Sequence, residues 1–121
     1  MQMLALLWLT VIATLPVQAA ESCRTIHGRA HLYSGDGQLR IWQVGTHHEY
    51  EPDASSWDRV EAWLEAGVQA QEAKKNSGAS AAALVYLFAD FEICPIEPLK
   101  EGAVQRAEVK SAHHRRYVLA N

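Results

Sequence analysis

Residues Cys23 to Thr46 read CRTIHGRAHLYSGDGQLRIWQVGT, and the fold is decided here. From Arg24 to Tyr33 the residues alternate. Ile26, Gly28, Ala30 and Leu32 share one face, while Thr25, His27, Arg29, His31 and Tyr33 share the other, the period of a half-buried strand. Ser34-Gly35-Asp36-Gly37 follows, and its Asp-Gly pair supplies the backbone freedom that a hairpin turn needs. Gln38 to Val44 makes the second strand, with Leu39 and Ile41 on one face and Arg40, Trp42 and Val44 on the other. Gly28 and Ala30 on the buried side point to a strand crossed closely by another element, as where a small sheet coils into a barrel. Gly45 then offers a kink, and Thr46 to Tyr50 reads as a third strand ended by Pro52.

Downstream, Ser55-Ser56 followed by Asp58 resembles a capping box, and Trp57, Val60, Leu64 and Val68 recur at helical spacing with Gly67 beside them. Gln69 to Lys75 is polar and helix-forming, and Asn76-Ser77-Gly78 is a stop signal, so the helix runs to about five turns. Leu84-Val85-Tyr86-Leu87-Phe88 is a dense run of strand formers that continues through Asp90 to Cys94. Pro95 and Pro98 end it. A last strand follows from Ala103 to Ser111, with His113 to Leu119 as its continuation or as a separate short strand. The order β-β-β-α-β-β is that of a small five-stranded OB-like barrel, mainly β with one helix. An open antiparallel sheet with the helix packed on one face is the alternative.

Residues 1–20 carry no charged side chain and run apolar from Leu4 to Leu15, after which Val17-Gln18-Ala19 suits cleavage after Ala19. The reading is a signal peptide over 1–19 and a single disulfide-bonded β-domain over 20–121, periplasmic or extracellular, with no membrane span once the signal is removed. The usual basic residue before the apolar run is missing, and a retained anchor is the competing reading. Export lets the two cysteines, Cys23 and Cys94, pair in an oxidising compartment. An OB-like barrel pairs its first and fourth strands antiparallel, which brings the start of one beside the end of the other, as a disulfide requires. Without a Cys-x-x-Cys pair, a redox role has little to stand on.

The net charge is −3, which argues against a nucleic-acid-binding surface in general. Charge is unevenly spread. Glu49 to Glu65 is acidic and Arg106 to Asn121 is basic, a pattern that two solvated faces of opposite sign explain.

Six histidines raise the question of a metal. His27 and His31 lie about 13 Å apart along one strand face, too far to share an ion. One ring each from His47-His48 and His113-His114 can meet only across neighbouring strands, so these four are weak metal candidates. Asp90 and Glu92 share a strand face, and solvated rim positions explain them better than catalytic carboxylates do. The sequence has no nucleophile elbow, phosphate-binding glycine loop or Asp-rich calcium loop, and hence no catalytic residue or cofactor to assign.

A binding face remains. His27, Arg29 and His31 on the first strand stand beside Arg40 and Trp42 on the second, giving cationic and aromatic groups on one surface, suited to stacking bases or sugars or clamping an anion. An anionic small molecule, a glycan or an envelope protein is the kind of partner this surface fits. The competing reading has Trp42 covering the core and Arg40 paired with a nearby acid. A small His-ligated metal enzyme and an envelope inhibitor or accessory subunit are the other functional classes.

Three pieces, Cys23-x-x-x-His27-Gly28-Arg29, Arg40-Ile41-Trp42-x-Val44-Gly45-Thr46 and Asp90-Phe91-x-x-Cys94-Pro95, together resemble a group of short, exported, uncharacterised bacterial proteins. The resemblance implies export and a similar fold, and no activity. The chain departs from that pattern in a longer helix and in lacking a further cysteine near Ala107 to Val109.

Overall fold

A computed structural model describes residues 10–11, 22–71 and 81–120. The strands are β1 (Arg24–Tyr33), β2 (Gln38–Gln43), β3 (Glu49–Pro52), β4 (Val85–Pro95) and β5 (Gln105–Leu119), with one helix, α1 (Trp57–Gln71), and a short 3₁₀ turn, Ala81–Leu84. They close into a barrel in the order β1-β2-β3-β5-β4, with β4 pairing back onto β1. Every pairing is antiparallel except β3 with β5, which is parallel. The mainly-β barrel with one helix expected from the element order is therefore the observed architecture.

The opening hairpin forms as its alternation dictates. Gly28 opposes Gln43 and Tyr33 opposes Gln38, leaving Ser34 to Gly37 as a four-residue loop. Gly37, at φ 64°, takes the left-handed conformation and donates its N–H to the Tyr33 carbonyl at 2.8 Å. Gly28 faces the core, where a Cβ would lie 2.9 Å from both Ile41 and Phe91. The close crossing inferred from its small size is thus present. Inside the barrel lie Ile26, Ala30, Leu39, Ile41, Tyr50, Leu87, Phe91, Ile93 and Val109, all buried.

The helix closes one end of this core through Val60, Leu64 and Val68, all fully buried. Gly67 beside them receives the Tyr117 ring of β5, and a Cβ there would overlap that ring. The Tyr117 hydroxyl donates to the Trp63 carbonyl at 2.9 Å, fixing the contact. The helix start differs from the expected box. Asp53 is the capping group: its Oδ1 accepts the Ser56 N–H at 3.1 Å and its carbonyl accepts the Trp57 N–H at 3.0 Å, while the Ser55 hydroxyl donates to the same carboxylate. Ser56 is buried instead, its Oγ accepting the Val109 N–H at 2.8 Å and so tying the helix to β5. The expected continuation through Lys75 and the stop at Asn76-Ser77-Gly78 fall, from residue 72 on, outside the described residues.

Two further boundaries moved. Expected over Thr46 to Tyr50, β3 begins only at Glu49, because Thr46 folds into a turn in which its N–H and hydroxyl both donate to the Gln43 carbonyl, at 3.1 and 2.8 Å. Pro52 is the buried last residue of β3, tolerated because Asp53 makes the next bond to the Ala107 carbonyl, at 2.8 Å. The last strand is one continuous element to Leu119, bent by register shifts opposite Phe88/Asp90 and Glu92/Ile93.

Cys23 and Cys94 are disulfide-bonded, with Cα atoms 4.1 Å apart, at the open end of the β1–β4 ladder. Among the described residues no helix is long and apolar enough to cross a membrane. Apart from Thr10 and Val11, residues 1–19, expected from sequence to be a signal peptide, lie outside the described residues.

Candidate functional site: the outer face of β2, β1 and β4

Alternation turns one residue in two away from the core, and on β1, β2 and β4 those residues are unusually rich in rings and cations. β1 presents His27, Arg29 and His31; β2 presents Arg40 and Trp42; β4 presents Tyr86, Phe88, Asp90 and Glu92. Cross-strand register sets them in rows. Glu49, Trp42, Arg29, Phe88 and Arg116 are successive partners from β3 through to β5, and Arg40 opposes His31 in the adjacent row.

Arg29 is the centre of the face. Its guanidinium carbon lies 4.8 Å from the Trp42 ring centre and 4.7 Å from that of Tyr86. Such stacking favours a cation by about 0.5–2 kcal/mol, depending on exposure. Among the described residues the guanidinium has no hydrogen-bond or ion-pair acceptor, and Nε is buried without one. Trp42 is itself held, its Nε1 donating to the Thr46 carbonyl at 2.7 Å. Arg116 repeats the arrangement on β5, with its guanidinium carbon 5.0 Å from the Phe88 ring centre and, among the described residues, no acceptor either.

Arg40 differs. It donates to the Leu39 carbonyl at 3.0 Å and to Gln38 Oε1 at 3.1 Å, and pairs with Glu51 at 3.4 Å. Of the four residues picked from sequence, Arg40 therefore has its charge matched internally, as the competing reading had it. His31, on the same face, is buried between Tyr33 and Tyr86, with Nδ1 2.9 Å from the Val85 carbonyl.

His27 borders this face in a cluster that the sequence did not reveal. Its Nδ1 lies 3.2 Å from Asp90 Oδ1, and His114 Nδ1 lies 2.9 Å from Asp90 Oδ2. A carboxylate only accepts, so each imidazole donates from Nδ1. Hydrogen bonding to His114 first, and then to His27, holds the Asp90 carboxyl below its ordinary range. His114 reaches Asp90 from a left-handed backbone (φ 55°), the sole non-glycine positive φ among the described residues. Its register neighbour His113 opposes Asp90 on the ladder.

The other sequence candidates lie apart from one another. His47 and His48 sit in the β2–β3 turn, where with Thr46 and the Leu99–Ala103 loop they line a groove of about 420 Å³. His113 and His114 are midway along β5, roughly 25 Å of strand from the end beside that groove. The structure does not bring the two pairs together. Asp90 and Glu92 do not share a site either: Glu92 accepts from the Ser111 hydroxyl at 3.4 Å. Glu92 does lie near Cys23 and Cys94, but the disulfide leaves those sulfurs without thiolate character for a metal.

Tyr86, Phe88 and Arg116 were missed. Leu84 to Phe88 reads as a dense run of strand formers, and only the strict alternation of β4 turns its two rings outward. The chain matches no protein-family model, no curated protein and no solved structure.

Proposed function

We propose that the protein is a non-enzymatic, exported binding module that takes an anionic ligand on the outer face of its barrel, with His27, Arg29, Arg40 and Trp42 in the contact surface. The observation that carries this reading is Arg29. A guanidinium offers five donors, and this one is half-buried between two rings with its Nε shut away from water and without an acceptor. An anion at its open edge completes it. Rings on both sides hold the fork in place before the ligand arrives, which lowers the ordering cost of binding. Barrels of this topology present their outer strand faces to oligosaccharides and other extended ligands.

The Cys23–Cys94 bond supports export, since cytosolic reduction works against such a pair. Support for a binding rather than a catalytic role comes from the His27–Asp90–His114 cluster. Its carboxylate is occupied by both imidazoles, and among the described residues no hydroxyl or thiol nucleophile is hydrogen-bonded to it.

Retention on a carboxylated or sulfated polysaccharide matrix tests the reading. The disulfide-bonded protein is expected to be retained at low salt and released as salt rises, and Arg29→Ala and Trp42→Ala are expected to elute early. Retention unchanged in both variants would overturn the surface named here.

A further inference from the structure

Resting on that reading, we propose that the ligand is an acidic glycan bearing at least two spaced anionic groups, bound across the strands with Arg29 and Arg116 as its two anchors.

The two arginines belong to one register row. Arg29 opposes Phe88, and Phe88 opposes Arg116. Two inter-strand steps separate them, roughly 10 Å at the backbone. Arg29 lies between Trp42 and Tyr86 while Arg116 lies over Phe88, so the two forks stand over different rings, and a ligand carrying two acidic groups can meet both. Both guanidiniums are pinned over rings and, among the described residues, lack acceptors, whereas neighbouring Arg40 has Glu51, Leu39 and Gln38.

The same geometry selects among polyanions. Trp42, Tyr86 and Phe88 each have a guanidinium over a ring face and are half-buried, so they are poorly placed as stacking platforms for nucleic-acid bases. A nucleic-acid strand also carries a charge on every nucleotide, and this row offers it only two open guanidiniums. Its surplus phosphates would approach Glu49 at the β3 end of the row and Asp90 in the row alongside. A chain alternating acidic and neutral sugars presents wider charge spacing, and it is held through guanidinium forks that need no free ring face.

Calorimetric titration of the disulfide-bonded protein tests this with four probes: a uronic acid monosaccharide, oligosaccharides of alternating acidic and neutral sugars with two and with three acidic groups, and a single-stranded oligonucleotide. The two-acid oligosaccharide is expected to bind at least about tenfold more tightly than the monosaccharide. Arg116→Ala and Arg29→Ala should each bring the oligosaccharide down to about the affinity of a single anchor, and the double variant should bind neither ligand. Arg29→Lys, which keeps the charge and loses the fork, is expected to weaken both ligands, and circular dichroism confirms that each variant is folded. A monosaccharide bound as tightly as the oligosaccharides, an Arg116→Ala variant with full oligosaccharide affinity, or a preference for the oligonucleotide would each overturn the two-anchor glycan and leave the anion-binding face standing. Binding of none of the probes would overturn the face itself, and this proposal with it.

Discussion

The two sides of β1 are built from the same ten residues under opposite rules. Inward, Ile26, Gly28 and Ala30 meet neighbours that leave no room: a Cβ on Gly28 would press on Ile41 and Phe91. Outward, His27, Arg29 and His31 meet rings and polar groups, and Arg29 keeps donors that nothing in the described fold fills. The inner side is determined by packing and explains stability. The outer side carries chemistry that folding does not require, and that surplus is what distinguishes a ligand face from ordinary surface.

The contrast breaks most visibly at the disulfide. Replacing Cys23 and Cys94 together by serine frees a loop with a separation of 71 residues. The loss is expected to be about 4 kcal/mol in the chain-entropy picture, read as a lower urea midpoint at pH 7. If the midpoint hardly moves, the β1–β4 ladder alone holds the barrel closed.

Gly67→Ala comes next. An added Cβ overlaps the Tyr117 ring, and overpacking of this kind costs about 1–3 kcal/mol. In a Tyr117→Ala background the clash is gone, and helix propensity favours alanine over glycine by about 1 kcal/mol, so the effect of the same substitution reverses sign. A cost that persists in the double variant would mean that the helix, and not the Tyr117 contact, sets the requirement for glycine.

How much of this was legible follows from the same division. Strict alternation in β1 and β2, the Asp-Gly loop and the Cys23–Cys94 pairing could be read because each depends on local pattern or on strand order. The shift of β3 to Glu49 was not, because the turn at Thr46 is made by side-chain and backbone bonds to Gln43 that no periodicity signals. Asp53 as the helix cap was hidden behind a better-looking Ser55–Asp58 pattern. On the outer face, His27, Arg29 and Trp42 were found from the hairpin register, but Tyr86, Phe88, Asp90, His114 and Arg116 join them only through the β1–β4 and β4–β5 registers. The bulge that separates Phe88 from Asp90 in that ladder leaves no mark in the sequence.

Arg29→Met sharpens the comparison from the outer side. The substitution forfeits the cation–ring attraction, about 0.5–2 kcal/mol, yet it removes a buried donor without an acceptor and leaves apolar bulk between Trp42 and Tyr86. The two effects oppose each other, and the net change in urea stability is expected to stay within about 1 kcal/mol. Retention on an acidic polysaccharide should nevertheless be lost. A large stability loss would show that Arg29 belongs to the fold, as Gly28 does.

The smallest effect lies at Asp90 and depends on pH. Its carboxyl is held below the ordinary range by His114 and then His27, so in the folded protein it stays ionised to lower pH than in the unfolded chain. The unfolded chain then binds the proton first as pH falls. The contribution is therefore fully present above the unfolded value near 3.9 and lost as pH drops through the lower folded value. In urea melts taken from pH 5 downward, the wild-type protein should lose stability more steeply than Asp90→Asn. Because the cluster is exposed, the difference is small. Curves that stay parallel down to acid pH would mean that the two imidazoles touch Asp90 without stabilising its charge, and the left-handed backbone at His114 would then have no partner to account for it.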